Sequence, residues 1–124
     1  ANRLPLAEAG ALSGPQRFGS WLAGGLIRLI WGHAFADLGP FRAIRWQTYQ
    51  QLDMADRNYG WTVEMQIKAA QSNLRWREIA LPYACRRKGR SKVSGNLWGS
   101  FRAGTKILYL ILAAFVRQGW KSRP

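Results

Sequence analysis

Apolar residues recur at helical spacing in four stretches of the chain. This spacing predicts a helix over residues 16–31 and a short one over 46–52. A third helix is predicted over 61–72, with an apolar stripe formed by Val63, Ile67, Ala70 and Leu74. The last, over 97 to about 118, has the apolar centre ILYLILAAFV. The chain is therefore predicted to be mainly helical.

Two stretches between these helices predict extended backbone. Residues 35–44 contain a Gly-Pro turn that leads into an extended piece, and residues 75–83 alternate apolar and polar side chains as a strand does. Pro82 lacks a backbone donor and limits the second stretch to a sheet edge. Residues 1–15 predict a loop or frayed end, because they contain Pro5, Gly10, Gly14 and Pro15.

The last predicted helix has the features of a helix at a membrane surface. Its apolar centre is ten residues long, whereas a bilayer crossing needs roughly 20. Basic and aromatic residues flank this centre, namely Lys106, Arg117, Trp120 and Lys121. The pattern predicts an interfacial helix. A helix buried against another domain is the alternative.

Composition narrows the classes of partner. The 124 residues suffice for one modest domain, and a hydrophobic content of 48% is too high for a disordered tail. The net charge of +13 indicates a polyanionic partner: nucleic acid, an anionic bilayer or a phosphorylated substrate. A single cysteine, Cys85, forms no internal disulfide and fits a reducing, cytoplasmic setting. The chain lacks a start Met and a signal-peptide pattern, and we expect it to be part of a longer protein.

Few carboxylates are available for chemistry, because the chain has six acidic residues. Asp37 lies in a turn, where it can face a cleft and accept a proton from a hydroxyl or phosphate. The alternative is that Asp37 caps the turn through backbone N–H groups. Glu64 lies in the first turn of its helix, where it suits the helix dipole and can pair with Lys68. Asp53 and Asp56 fit turn and capping positions.

The segment RRKGRSKVSG, residues 86–95, is strongly basic. Five cations surround Gly89 within residues 86–92. Arginine guanidinium groups can grip phosphate oxygens in pairs, and a diphosphate leaving group needs such neutralisation as its charge develops. A solvated run of charge and a nucleic-acid patch are the alternatives.

Three segments in order resemble bacterial family-2 glycosyltransferases of the dolichyl-phosphate mannose synthase and polyprenyl-phosphate glycosyltransferase type. They are DLGPFRAI (37–44), YGWTVEMQIKA (59–69) and RKGRSKVSG (87–95), and the resemblance covers roughly residues 13–112. It implies an α/β (α+β) fragment of a GT-A fold, helix-rich with a few short strands. The nucleotide-binding half is absent.

In domain terms, the resemblance implies three parts. A loop or frayed end occupies residues 1–15, the acceptor-side part of the glycosyltransferase domain occupies 16–96, and an amphipathic or interfacial helix occupies 97–124. Enzymes of this family move a sugar from a nucleotide sugar to a lipid phosphate or similar acceptor. The expected place is the cytoplasmic face of the membrane, with an anionic lipid surface as a further partner.

The reaction implied is an inverting transfer by direct attack of an acceptor oxygen. A divalent metal, Mg or Mn, is held in such enzymes by a D-x-D motif in the first half. This sequence contains no D-x-D. The metal is therefore expected in the full-length enzyme, and no metal is expected on this fragment, which should be inactive alone.

The resemblance also assigns roles to residues of the DLGPFRAI and helical segments. Asp37 matches a carboxylate that activates or orients the acceptor, so it is the predicted catalytic residue. Arg42 matches the arginine of the same segment, which holds it or contacts phosphate. Glu64 matches a helix glutamate with a supporting role in the site.

Basic residues elsewhere are matched to the phosphates. Arg87, Ser91 and Lys92 match the loop expected to close over the diphosphate, and Arg17 resembles an upstream position that meets the acceptor phosphate. The alternative function is a stand-alone basic module that binds membrane or nucleic acid without catalysis. No recognisable nucleic-acid motif is present, so no nucleic-acid partner is expected.

Overall fold

The computed structural model describes residues 1–85, 87–88 and 97–121, and its architecture is helical. A 3₁₀ turn at Leu4–Leu6 precedes four α-helices: α1 (Gly14–Trp31), α2 (Trp46–Leu52), α3 (Trp61–Gln71) and α4 (Leu97–Lys121). The four predicted helices are confirmed. Helix α2 has the predicted bounds, and the other three differ from prediction by at most three residues at either end.

Helix α1 has clear start and stop signals. At its start, Ser13 and Gln16 form a reciprocal capping box in which each side chain accepts a hydrogen bond from the other residue's backbone N–H. Pro15 lies in the first turn, where a missing N–H does no harm. At its end, Gly32 adopts a left-handed conformation with φ of 74° and donates its N–H to the carbonyl of Arg28.

Helices α1, α3 and α4 enclose the hydrophobic core. Its buried members are Ala23, Ile27, Phe35, Val63, Ile67, Ala70 and Ile111. Gly24 lets α1 approach the segment after it, since a Cβ at this position would collide with the carbonyl oxygen of Phe35. Three of the four residues in the predicted stripe of α3 are buried, and Leu74 is half-buried because α3 ends at Gln71.

The predicted strands differ from what the structure shows. Within the described residues the β pairing consists of two isolated parallel bridges, Asn2 with Ala80 and Ala7 with Tyr83. The 3₁₀ turn at Leu4–Leu6, which contains Pro5, separates these bridges and prevents a continuous ladder. The segment 75–83 is thus extended but forms no strand, and an α/β fold stays a prediction.

The N-terminal segment, predicted to be a loop or frayed end, is held along residues 79–83 by backbone hydrogen bonds. Asn2 donates its backbone N–H to the Ile79 carbonyl at 2.9 Å, and Glu8 donates to the Tyr83 carbonyl at 3.0 Å. Residues 2–8 therefore lie along 79–83 and carry Arg3 into the interior.

Candidate functional site: a basic cleft beside Asp37

Asp37 follows α1 and is 2% exposed. Arg3 grips its carboxylate with three donors: the backbone N–H at 3.0 Å, Nε at 2.7 Å and Nη2 at 2.8 Å. Ser20 donates its hydroxyl to the same carboxylate at 3.2 Å. The structure therefore places the predicted catalytic carboxylate in a buried ion pair with both oxygens engaged.

This environment favours the ionised form of Asp37. Burial alone would raise the pKa of the Asp37 carboxyl, but the hydrogen bonds and charge of Arg3, together with the Ser20 hydroxyl, outweigh burial and lower it. Because the carboxylate is ionised and saturated with donors, it can accept a proton from a substrate only if Arg3 moves away. Its catalytic role stays a prediction.

Two polar side chains near Asp37 keep a buried atom without a partner. Gln66, on α3, is 4% exposed and donates its amide to the Asp37 carbonyl at 3.1 Å. Arg42 donates to the carbonyls of Gly39 at 3.1 Å and Thr62 at 2.7 Å. In the described part of the chain, Gln66 Oε1 and Arg42 Nη2 have no hydrogen-bond partner.

Arg42 remains a cation despite its burial. Burial lowers the pKa of its guanidinium to about 10, and the negative charges of Asp37 and Glu78 oppose that shift. At neutral pH the side chain is still protonated. Arg42 therefore presents a buried positive charge with an unused donor.

Both of these side chains line a cleft of about 560 Å³, which lies between the turn after α1, helix α3 and the extended segment that follows α3. Four arginines line it, namely Arg42, Arg45, Arg75 and Arg77. Two carboxylates also line it, but Asp37 is paired with Arg3, and Glu78 accepts from the Ala36 N–H at 3.1 Å. The cleft is cationic and suits a phosphate group.

Aromatic rings form one wall of this cleft. Trp76 stacks on Phe35 with ring centroids 4.6 Å apart and an interplanar angle of 22°, and both residues line the cleft. His33 packs edge-on against Trp76 at 4.7 Å. Trp76 keeps 37% of its surface exposed, so the wall has an apolar surface that a ligand can contact.

Glu64 binds the turn that precedes α3 and lies apart from the cleft. Its carboxylate accepts from the backbone N–H groups of Ala55 at 3.0 Å and Asp56 at 2.7 Å, and pairs with Lys68 at 3.0 Å. The predicted pairing with Lys68 is confirmed. Burial would raise the pKa of Glu64, but the two backbone donors and Lys68 lower it overall. Glu64 thus fixes the turn that precedes α3, and it does not line the cleft.

The remaining predicted site residues are not brought to the cleft in the described structure. Arg17 lies exposed on α1, and Arg87 is exposed after the extended segment; neither lines the cleft. Ser91 and Lys92 lie outside the described residues.

The metal implied by the resemblance has no matching ligand set in the described ranges. Over 1–85, 87–88 and 97–121, no three His, Cys, Asp or Glu side chains come together.

Gln66 and Arg3 were not predicted from the sequence as residues of the site. A signal for Gln66 existed, because it lies three residues after Val63 and four before Ala70, on the stripe that the helix buries. No signal marked Arg3, because 34 residues separate it from Asp37.

One side of helix α4 forms an exposed and mostly apolar surface, which we call the outer face. Its members recur three or four residues apart and are exposed: Trp98, Phe101, Thr105, Tyr109, Leu112 and Val116. All but Thr105 are large apolar or aromatic residues. Such a continuous exposed patch is typical of a surface that is covered by a partner or a membrane.

The opposite side of α4 packs against the rest of the domain. Ile111 is 1% exposed, and Lys106 forms an ion pair with Asp56 at 2.8 Å. Trp31 donates a hydrogen bond to Gln118 near the end of the helix. By length and composition alone, the segment Trp98–Gln118 is long and apolar enough to cross a membrane, with a mean hydropathy of 1.3.

Comparison with known proteins gives a partial match. Over 67 residues the chain is 37% identical to proteins named uncharacterized glycosyltransferase from Mycobacterium bovis and from two strains of Mycobacterium tuberculosis. The match covers 54% of this chain and 31% of each relative, so the chain spans less than a third of their length. No family model and no solved structure matches it. These relatives support a glycosyltransferase relationship.

Proposed function

We propose that this chain is the acceptor-side part of a family-2 glycosyltransferase with a GT-A fold. In this proposal the whole enzyme moves a sugar from a nucleotide sugar to a lipid phosphate or similar acceptor at the cytoplasmic face of the membrane. The glycosyltransferase relatives support the reaction class. The observation that carries the proposal further is the cationic cleft, which is lined by Arg42 and three further arginines.

The state of Asp37 fits a phosphate acceptor. A sugar hydroxyl needs a base before it can attack, whereas a phosphate monoester is largely ionised at neutral pH because its second pKa is about 6. An ionised phosphate oxygen can attack the anomeric carbon of the sugar directly, while the bond from that carbon to the diphosphate of the nucleotide sugar breaks and the nucleotide leaves, which gives inversion. Asp37, tied to Arg3 and Ser20, then orients the site and accepts no proton.

The cleft cations supply the electrostatic part of the reaction. Attack by the acceptor phosphate on a sugar carbon that still carries the diphosphate leaving group brings negative charges together, and this repulsion raises the barrier. Fixed guanidinium groups in a partly buried site lower it without reorganising. In the proposal Arg42 contacts phosphate from inside the cleft, while Arg87, Ser91 and Lys92 close over the diphosphate. Mg or Mn belongs to the D-x-D half of the enzyme.

The outer face of α4 supports a membrane-surface location. Aromatic residues such as Trp98 and Tyr109 prefer the interface between water and lipid, and apolar residues such as Leu112 gain from burial in it. The net charge of +13 adds attraction to anionic lipids. Because the inner side of α4 packs on the domain from Lys106 to Gln118, the helix is proposed to lie along the membrane surface.

The phosphate-binding step can be tested by steady-state kinetics. The protein encoded by the complete reading frame is reconstituted in anionic vesicles with a polyprenyl phosphate and its nucleotide sugar. We expect Arg42→Lys, Arg87→Ala and Lys92→Ala each to lower turnover at least tenfold. The matched control is Arg57→Ala, which removes an exposed cation away from the cleft. Wild-type turnover in all three variants would contradict the proposal.

A further inference from the structure

A second pocket, of about 510 Å³, lies between helix α4 and the turn that precedes α3. Its lining is polar, basic and aromatic, and consists of Asn58, Tyr59, Arg102, Thr105, Lys106 and Tyr109. We infer that this pocket, which we call the flank pocket, binds the headgroup of an anionic phospholipid that is not a reactant of the enzyme. The inference rests on the proposed function only for the membrane location of α4.

The flank pocket lies at the border of the outer face of α4. Thr105 and Tyr109 belong both to the outer face and to the lining of the pocket. Arg102 and Lys106 lie four residues apart, so they share the side of α4 next to those two residues. A ligand in the pocket therefore has the apolar outer face beside it. A lipid gains more than a freely soluble anion there, because its chains can cover that face.

The charges of the flank pocket match a headgroup with one negative charge. Lys106 is paired with Asp56 at 2.8 Å, which offsets its charge. Within the described part of the chain, no carboxylate pairs with Arg102, and its side chain is exposed. One unpaired cation balances the single charge of a phosphodiester, whereas a phosphate monoester carries about −1.5 to −2 at neutral pH. Arginine also suits a phosphodiester because its planar fork can bind two phosphate oxygens at once.

The neutral lining residues suit the rest of a headgroup. The Asn58 amide and the Thr105 hydroxyl can each donate to a phosphate oxygen or accept from a hydroxyl of the ligand. Tyr59 and Tyr109 are 47% and 64% exposed. Such amphipathic rings favour the level of lipid headgroups, where one end is apolar and the other is hydrated. A headgroup that carries both a phosphodiester and hydroxyl groups, as in phosphatidylglycerol, is therefore the class that matches the pocket.

The flank pocket is separate from the cleft beside Asp37, to which the proposed function assigns the reaction. Among the residues that the structure describes, none lines both. The acceptor in that proposal is a phosphate monoester, whose charge the flank pocket matches less well than that of a phosphodiester. A phospholipid held in the flank pocket is therefore not consumed. It anchors α4 and fixes the orientation of the domain on the membrane.

Monomeric short-chain lipids test the inference without a bilayer, so the general attraction of a basic protein to an anionic surface does not contribute. The 124-residue chain is titrated calorimetrically with three probes. They are dihexanoylphosphatidylglycerol and dihexanoylphosphatidylcholine, both below their micelle concentrations, and glycerophosphoglycerol, which is the first headgroup without its chains. We expect saturable binding of the phosphatidylglycerol, about fivefold or more tighter than binding of either other probe.

Two arginine variants of α4 assign this binding to the flank pocket. Arg102→Gln should weaken phosphatidylglycerol binding about tenfold, because it removes the unpaired cation. Arg117→Gln is the matched control: Arg117 follows Lys106 by about three helical turns on the same side of α4, but it does not line the pocket. Binding should change less than about twofold in this control. Arg102 and Arg117 are both exposed, so neither change should disturb the fold.

The outcomes separate this inference from the proposed function. Equal binding of the two lipids, equal weakening by Arg102→Gln and Arg117→Gln, or equally tight binding of glycerophosphoglycerol would each overturn the inference. If the expected binding pattern appears but the complete protein transfers no sugar, the proposed function fails and the inference stands. If the complete protein transfers sugar but monomeric phosphatidylglycerol shows no saturable binding, the inference fails and the proposed function stands.

Discussion

Helices α3 and α4 distribute their side chains in opposite ways. Helix α3 buries two polar residues, Glu64 and Gln66, each with specific hydrogen bonds. Helix α4 is richer in large apolar residues, yet Ile111 is the one side chain that the described structure fully buries in it. Helix α3, which buries polar side chains, borders the cleft, whereas helix α4 exposes apolar side chains to solvent.

The fold explains the buried polar residues of α3, but it does not explain the exposed apolar residues of α4. Burying Glu64 and Gln66 costs desolvation, which hydrogen bonds at fixed positions offset, so these residues define geometry near the cleft. Tyr109, Leu112 and Val116 stay exposed and gain no free energy from burial within the described domain. A covering surface would supply that gain, and in our proposal this surface is the membrane.

The largest effect is expected from the buried ion pair on the cleft side. Asp37→Asn should destabilise the fold by about 3 kcal/mol, because Arg3 is left as a poorly compensated cation with a side chain 12% exposed. Urea denaturation of the 124-residue chain measures the change. Asp53→Asn, at an exposed turn, is the control and should be neutral. A neutral Asp37→Asn would mean that the ion pair does not support the fold.

The same pair predicts an acid limit to stability. The pKa of Asp37 is lowered in the folded state from its ordinary value of 3.8. Its contribution is therefore fully present above about that value and is lost as the pH falls towards the lowered folded pKa. Denaturation at pH 7 and at pH 3 should show a smaller difference between wild type and Asp37→Asn at the lower pH. An unchanged difference would contradict the assigned ion pair.

Two neighbouring glycines in α1 test how closely this helix packs against Phe35. Gly24→Ala should destabilise by about 2–3 kcal/mol, because its Cβ would meet the Phe35 carbonyl. Gly25→Ala meets nothing within 4 Å and should stabilise by about 0.5–1 kcal/mol through helix propensity. Thermal unfolding of both variants measures the contrast. Equal effects would contradict the close contact between α1 and Phe35.

Glu64 should show an intermediate effect. Glu64→Gln removes the charge that strengthens the bonds from Ala55, Asp56 and Lys68 but keeps one acceptor oxygen. We expect a loss of about 1–2 kcal/mol, measured by denaturation at neutral pH. A loss of sugar transfer with unchanged stability would instead assign Glu64 a direct role in the reaction.

The smallest stability effect is expected on the outer face of α4. Leu112→Gln and Val116→Gln should change stability by less than about 0.5 kcal/mol, because both side chains are exposed. Together they should weaken binding to anionic vesicles at least tenfold in a flotation assay. Leu6→Gln, an exposed apolar change elsewhere, is the control. Unchanged flotation would remove the outer face as the membrane contact.

The sequence predicted the helices well because each carries local signals. Apolar spacing placed α1 and α3, and the Ser13 capping box and Gly32 fix the ends of α1. The extended segments were harder to predict, because a strand forms only when it pairs with another strand. Residues 75–83 have the alternation of a strand, yet the described chain offers them only the bridges at Asn2 and Ala7.

The candidate site was predictable only in part. Asp37 was a candidate from its place in a turn, and the resemblance of its segment assigned it a role and added Arg42. The pairing of Asp37 with Arg3 depends on a contact across 34 residues, which no local pattern encodes. The arginines after α3 reach the cleft because the segment 74–78 folds back past the turn that follows α1. This placement follows from tertiary packing, which the spacing of apolar residues along the chain does not predict.

The most direct test of the central claim is detection of the transferred sugar. The protein of the complete reading frame, in vesicles containing a polyprenyl phosphate, is incubated with a panel of radiolabelled nucleotide sugars and extracted with organic solvent. The account predicts a labelled lipid-linked sugar from at least one nucleotide sugar, lost when the polyprenyl phosphate is omitted. Absence of labelled lipid with every nucleotide sugar would contradict the assignment of this chain to a lipid-phosphate glycosyltransferase.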